Sequence, residues 1–276
     1  MSKSKRYATL PSLKMNKSIS FCTTCSNRLW QIKETLQKNL ESLKDEHELV
    51  LVDYGSSDGL SEWVWSHFKS HIENGRLVFF EVKNEVRWNM ARAKNLAHRL
   101  ASGEYLFNLD ADNFVTRSDI ELIAAAKQAN LYCWQWSGSK TDGSPGRIGV
   151  PREIFLWLGG YDETLLPMGG QDIDLLDRLN MTAKGTRLKT PELLAIQNSI
   201  GDKVREISPS TWGNEEQRKT YNDLCVINSA ISKNKLLLEG PKRLGGGFPY
   251  KGFLNGQAIA INGFDEITKS PNEALT

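Results

Sequence analysis

Alternating strand-like and helix-like segments predict an α/β protein, an open and mostly parallel sheet with helices on both faces. Three observations carry that prediction. Leu49-Val50-Leu51-Val52 is an unbroken apolar run, as in a central strand covered on both sides. Apolar residues recur at helical spacing between such runs. Polar turns, two of them acidic, follow three of the runs, where open parallel sheets bind ligands.

The first strand leads through Ile19 and Phe21 into Cys22 and ends in a Thr, Ser and Asn cluster. Leu29, Ile32, Leu36, Leu40 and Leu43 then form one apolar helical stripe. The second strand covers 48–53 and stops at Asp53-Tyr54-Gly55-Ser56-Ser57-Asp58-Gly59. A helix over 60–68, a strand over 77–82 and an amphipathic helix over 89–101 follow, with Gly103 as its C-cap. The fourth strand, 105–109, again ends on acids, Asp110-Ala111-Asp112. Beyond 130 the pattern predicts a strand over 132–136, a polar loop to 146, a short helix over 152–158 and another over 172–179. The segment around Gly245-Gly246-Gly247 reads as loop, and the rest as a partly ordered tail.

Size and charge narrow the function. The 276 residues suit one large domain or two small ones with a substantial core. A net charge of +2, from 35 basic and 33 acidic residues, gives no support for a protein that coats nucleic acid. Lys3, Lys5, Arg6, Lys14 and Lys17 make a basic N-terminus with no apolar run behind it, so the expectation is a soluble, cytoplasmic chain. Weak peripheral contact with anionic lipid at the inner face of the membrane is the most that terminus offers. Four scattered cysteines do not make a disulfide scaffold. Cys22 and Cys25 have the spacing of half a zinc site or a redox pair, but no second Cys/His pair stands at a usual distance. His67 and His71 lack the Glu of a zinc-protease helix.

Asp110 and Asp112, one residue apart after a buried strand, can turn both carboxylates toward a hard cation, Mn²⁺ or Mg²⁺, that bridges to a diphosphate. Gly169-Gly170-Gln171-Asp172 opens a helix, where glycines let backbone approach a ligand and carboxylates gather, although an ordinary N-terminal cap has the same residues. Trp88, Trp134 and Trp136 offer faces to sugar rings or to the core, and Arg87, Trp88 and Arg92 precede Lys94 as candidates for a donor pocket.

Taken together these motifs resemble family 2 glycosyltransferases of the GT-A type. Val52-Asp53-Tyr54-Gly55-Ser56-Ser57-Asp58-Gly59 is similar to their VDDGSxDG turn and Ala93-Lys94-Asn95 to ARN. Residues 103–112 are similar to GEYxxxLDAD, and Gly159-Gly160-Tyr161-Asp162-Glu163 and Gln171-Asp172 complete the series over about 18–180. The resemblance implies a GT-A domain over 18–240, with a nucleotide half at 18–112 and an acceptor half at 113–240, between the basic N-terminus 1–17 and the Gly-rich tail 241–276.

It also implies an inverting transfer from a UDP-sugar to a carbohydrate or glycoconjugate hydroxyl. In that scheme Asp53 hydrogen-bonds uracil, Thr23, Ser26 and Arg28 flank the nucleotide, and Lys94 meets the diphosphate. The metal sits on Asp112, Asp110 lies toward the ribose or donor sugar, and Asp172 takes the acceptor proton. Gly170, Gln171 and Trp88 are expected at the donor sugar or acceptor. The Gly-Gly-Gln-Asp stretch is similar to that of galactosyltransferases and chondroitin-polymerase-like domains, which implies galactose or N-acetylgalactosamine.

Three departures stand out. Tyr54 replaces a second Asp, Gln171 replaces Glu, and no histidine follows His98, so the third metal donor falls to Gln197 or Asn198 and a loosely held cation arrives with the nucleotide. A glycine-free turn at 22–28 argues against sugar-nucleotide pyrophosphorylases, and the absent phosphate-loop and dinucleotide motifs argue against kinases and dehydrogenases. The remaining alternative is a nucleotide-sugar binding module of the same fold without turnover.

Overall fold

The computed structural model describes residues 8–9, 16–84, 87–135, 144–189, 195–208 and 211–263. The strands are β1 (Ala8–Thr9), β2 (Lys17–Cys25), β3 (His47–Asp53), β4 (Leu77–Val82), β5 (Gly103–Asn108), β6 (Tyr132–Trp134), β7 (Ile148–Pro151), β8 (Gly185–Arg187), β9 (Tyr250–Leu254) and β10 (Gln257–Ile261). The helices are α1 (Leu29–Ser42), α2 (Leu60–Glu73), α3 (Met90–Leu100), α4 (Arg117–Gln128), α5 (Arg152–Trp157), α6 (Gln171–Thr182), α7 (Ile200–Val204) and α8 (Asn214–Glu239).

One ten-stranded sheet has the order β1-β10-β9-β4-β3-β2-β5-β7-β6-β8. Its centre, β4-β3-β2-β5, is parallel as expected. Antiparallel pairs extend both flanks, β4 with β9 and β5 with β7. Two apolar layers follow from the period-two alternation of strand side chains. Phe21, Leu49, Leu51, Phe79 and Phe107 pack beneath α1, α2 and α4, whereas Cys22, Val50, Val52, Phe80 and Leu106 pack beneath α3, α5 and α6.

That alternation disposes of the cysteine pair. Cys22 and Cys25 stand three apart within β2, so their thiols enter opposite layers. Both are buried and unbonded, and burial pushes both thiols above their usual range, which suits neither zinc nor redox exchange.

Other sequence expectations also change. Gly103 does not cap α3, whose C-cap is Ala101; it opens β5, and its N–H donates to Ser20 Oγ at 2.8 Å. The supposed tail contains the hairpin β9–β10, which joins the sheet between β4 and β1. Its strands are short and follow a Gly- and Pro-rich stretch, so local loop signals outweigh five-residue runs. Helices α4, α7 and α8 had no counterpart in the sequence reading. Only Asn228 and Ser232 are buried among the 26 residues of α8, which therefore has no long apolar stripe to read. Trp136 and most of the polar loop before 146 lie outside the described residues. Among the described residues no helix is long and apolar enough to cross a membrane.

Candidate active site

A cavity opens beyond the carboxyl ends of β2 and β5, lined by Thr24, Ser26, Arg28, Trp88, Lys94, Asp110, Asp112, Asp172 and Asn198, with Lys203, Glu206 and Tyr221 from α7, the segment after it and α8. One side of it is the turn Asp110–Asn113, which helix α1 pins from below. Thr35 Oγ1 donates to Ala111 O at 2.9 Å, and Asn39 Nδ2 donates to Asn113 O at 3.0 Å while its Oδ1 accepts from Val115 N at 2.9 Å. Helix α1 is itself fixed by the 53–59 turn, because Asp58 Oδ2 accepts the Leu29 N–H at 2.7 Å.

Both Asp112 oxygens are capped by amides, Oδ1 by Asn113 Nδ2 at 2.5 Å and Oδ2 by Asn198 Nδ2. Burial, then the neighbouring Asp110 charge, raises the Asp112 pKa; Asn113, Arg28 and Asn198 oppose the shift.

Opposite lies Asp172 in the first turn of α6, where backbone N–H groups favour a carboxylate. Lys94 joins the two sides. It is 2 % exposed, and its Nζ lies 2.8 Å from Asp172 Oδ1 and 3.2 Å from Asp110 Oδ1. Burial works against the Lys94 charge, but Asp110 and Asp172 outweigh it and hold the ammonium above its usual range. Burial raises the Asp172 pKa, the Lys94 charge opposes, and Asp110 adds to the rise. Asn95, one residue on, fastens α3 to the 159–163 motif, accepting from Tyr161 N at 2.8 Å and donating to Tyr161 O and Glu163 Oε1.

The other expected residues divide. Ser26, Arg28, Lys94, Asp110, Asp112, Asp172, Trp88 and Asn198 meet at the cavity. Thr23 does not: β2 turns it to the other face, where its hydroxyl donates to Leu109 O at 2.8 Å, and Thr24 takes the cavity wall instead. Asp53 is buried behind the wall, accepts from Ser56 N at 2.8 Å, and is pushed up to about 6 by burial. Gln197 is exposed, which leaves Asn198 of that pair.

Gln171 turns away from any acceptor. It is wholly buried and donates to Leu166 O at 2.7 Å. The glycines before it serve α8 more than a ligand: Gly169, at φ +88°, would bring a Cβ within 2.7 Å of Cys225 Sγ, and Gly170 N-caps α6 beside Asn228. Arg92 stacks over Phe248 at 4.5 Å, and neither it nor the exposed Arg87 lines the cavity. Trp134 stacks on Tyr132 in the sheet, and His67 Nδ1 lies 2.8 Å from Trp63 O.

Several participants have little sequence signal. Arg28 Nη2 donates to Asp202 O at 2.5 Å and Asn27 Nδ2 to Glu206 Oε2 at 2.9 Å, which draws α7 over the cavity. Tyr54, the departure in the second motif, packs edge-on against Trp88 and Tyr250, with its hydroxyl 3.5 Å from that of Tyr250, so the C-terminal hairpin backs the cavity wall. The polar stripe Gln31, Thr35, Asn39, four apart on a buried helix face, was the one legible clue.

Among the described residues no three His, Cys, Asp or Glu side chains gather as a metal cluster. Asp110 and Asp112 supply hard oxygen donors, a set that fits Mn²⁺ or Mg²⁺ completed by phosphate and water, whereas Asn198 as placed turns its Nδ2 to Asp112 and its Oδ1 to Gln31.

Comparison with known proteins agrees with this architecture. The chain is 33% identical over 97 residues to the poly-β-1,6-N-acetyl-D-glucosamine synthase of Staphylococcus epidermidis, a match covering 35% of this chain and 22% of that protein. It thus spans under a quarter of that relative. The fold is similar to the mannosyltransferase PcManGT of Pyrobaculum calidifontis in complex with GDP-Man and Mn²⁺, with TM-score 0.56, 18% identity, and 83% and 68% of the two chains covered. Residues 1–349 of S. aureus TarS in complex with UDP give TM-score 0.54, 14% identity and 80% and 75% coverage. The sequence model of glycosyl transferase family 2 matches residues 20–165, from β2 through the 159–163 motif, and the chain belongs to that family as a glycosyltransferase of the GT-A fold.

Proposed function

We propose that this glycosyltransferase transfers a hexosyl group from a UDP-sugar to an acceptor hydroxyl of a carbohydrate or glycoconjugate with inversion, using a divalent cation at Asp112 and Asp110 and Asp172 as general base. The observation that carries the reading is the single ammonium of Lys94 between Asp110 on the donor side and Asp172 on the acceptor side. Inverting transfer needs a carboxylate facing the acceptor and positive charge near the departing diphosphate. In the transfer the acceptor oxygen bonds to the anomeric carbon, the glycosyl–phosphate bond breaks with its electron pair on the diphosphate, and the acceptor proton passes to Asp172.

Lys94 opposes the rise that burial gives the Asp172 pKa and stands ready to share its charge with the diphosphate. Ser26, Thr24 and Arg28 flank the nucleotide, and Asp53 behind them fastens the 53–59 turn through the Ser56 N–H. A divalent cation, when bound, supplies Lewis-acid stabilisation of the leaving group. The expectation of galactose or N-acetylgalactosamine finds no counterpart in the names of the relatives, which point to N-acetylglucosamine or mannose. A donor screen therefore starts with UDP-GlcNAc and includes GDP-mannose.

The test is thermal stability with UDP, GDP or ADP, with and without Mn²⁺, followed by nucleotide release from matched sugar donors. A ligand at a hundred times its dissociation constant adds about 2.7 kcal/mol. A rise for UDP that needs both Mn²⁺ and intact Asp112 supports the reading; a shift indifferent to the metal, or none, removes it. Donor binding without turnover on a broad acceptor panel would favour a binding module instead.

A further inference from the structure

Helix α1 turns three polar side chains toward the metal-binding turn, and two of them, Thr35 and Asn39, bond directly to its backbone. The third, Gln31, is wholly buried and incompletely used. Its Nε2 donates to Asn198 Oδ1, while its Oε1 is buried with no donor. Asn198 in turn donates Nδ2 to Asp112 Oδ2. The amides thus run Gln31 to Asn198 to Asp112 with every N–H pointing toward the carboxylate. That polarity suits Asp112 without a cation, because Nδ2 then caps the buried charge. It opposes a cation, whose place on Oδ2 the Asn198 amide hydrogens take.

We infer that Gln31 and Asn198 form a two-amide relay that reverses when a divalent cation is taken at Asp112. Asn198 then presents Oδ1 to the cation and its Nδ2 donates to Gln31 Oε1, which a matching half-turn of the Gln31 amide brings round while Nε2 takes the place Oε1 leaves. Amide oxygen and nitrogen are nearly equal in size, so a half-turn of the terminal bond exchanges them with the backbone in place. The backbone is held: Ile196 N donates to Asp112 O at 2.8 Å, and Ser199 caps α7 in a box with Asp202. Asn198 is a ligand in this scheme and Gln31 a positioning residue acting through it. The half-turn leaves one Gln31 group unmet in either orientation, so the pair is nearly balanced and the cation's demand for an oxygen ligand sets which way it points. The inference rests on the reading that Asp112 takes the cation.

The test is Mn²⁺ binding to the full chain, alone and with UDP, by the electron paramagnetic resonance signal of free Mn²⁺, with no turnover required. Asn198→Leu and Gln31→Met should each weaken Mn²⁺ by about 10-fold or more, the range for residues that orient a ligand. Gln31→Glu offers only acceptors to Asn198 Nδ2, holds the loaded orientation, and should bind Mn²⁺ at least as tightly as the wild type. A packing role would weaken both Gln31 variants alike. Wild-type affinity in Gln31→Met overturns the relay, and so does a gain in Gln31→Glu that survives addition of Asn198→Leu, since charge alone would then explain it. If Gln31→Met fails to fold, that double variant decides. Asp112→Asn separates the two readings: unchanged Mn²⁺ binding there removes the cation site and the relay with it, whereas loss there with wild-type binding in Gln31→Met removes only the relay.

Discussion

The two sides of the cavity are held by opposite means. The turn Asp110–Asn113 hangs mainly on neutral groups, Thr35 and Asn39 below it and the amides of Asn113 and Asn198 on Asp112, with Lys94 at Asp110 and Arg147 at Asn113 as its charged contacts. The Asp172 side is tied by buried charge. Arg178 Nη2 lies 2.8 Å from Asp174 Oδ2, both wholly buried, and Arg243 and Lys235 each stand 2.8 Å from Asp162 Oδ2. The difference suits the roles proposed for each side. A turn proposed to take a cation is served by caps that reorient cheaply, and a neutral hydrogen bond is worth only about 0.5–1.5 kcal/mol net. A carboxylate proposed as base is served by charge pairs around it that are expensive to break.

This contrast can be broken by experiment. The largest effect should come from Asp172→Asn, which removes the proposed proton acceptor and should lower turnover by about 10²–10⁴ while donor binding persists in a nucleotide melting assay. Comparable loss of nucleotide binding would mean that Asp172 belongs to the donor side. Next comes a pair measured by denaturant unfolding. Arg178→Met removes the closest charge partner of the buried Asp174 carboxylate, leaving Ser232 and Arg243 on its other oxygen, and should cost about 3 kcal/mol, whereas Asn39→Ala beneath the Asp110–Asn113 turn should cost about 1–3 kcal/mol. Equal costs would erase the distinction.

Asp53 sharpens it through pH. Its carboxyl titrates at about 6 instead of 3.8 because it is buried, so it holds a proton in the fold at a pH where the unfolded chain has released it. Its contribution to stability is therefore complete below about pH 4 and is lost as pH rises through about 6. Melting curves of wild type and Asp53→Asn should converge or cross over that window. The smallest effect belongs to Tyr54→Phe. The bond to Tyr250 is long, at 3.5 Å, and the ring contacts remain, so stability should change by less than about 1 kcal/mol. A larger loss would give the C-terminal hairpin a greater hold on the cavity wall than its packing implies.

Much of the catalytic frame was legible because it depends on order along the chain. Apolar runs ending in Asp53 and Asp110 marked parallel strands, and Gly169–Asp172 marked a helix start near them. Register was less legible. Reading the first strand as ending near Cys22 instead of Cys25 hid the alternation that sends Thr23 to one face and Thr24 to the other. Gln171 was expected at the acceptor, but the helix start turns its amide back onto Leu166.

Local sequence by itself determined the central α/β pattern, the carboxylates at the strand ends and the membership of a family, because period-two and helical spacing and the residues of tight turns act over a few positions. Tertiary structure decided which side chains meet. Lys94 bridges Asp110 and Asp172, Gln31 reaches Asn198 across 167 positions, and Tyr250 backs Tyr54 across 196. The hairpin β9–β10 and helix α8 belong to the same class, since their partners in the sheet and on α6 lie far away in the chain. Contacts of that reach leave no periodic trace, because each depends on two distant segments that only the folded sheet brings together.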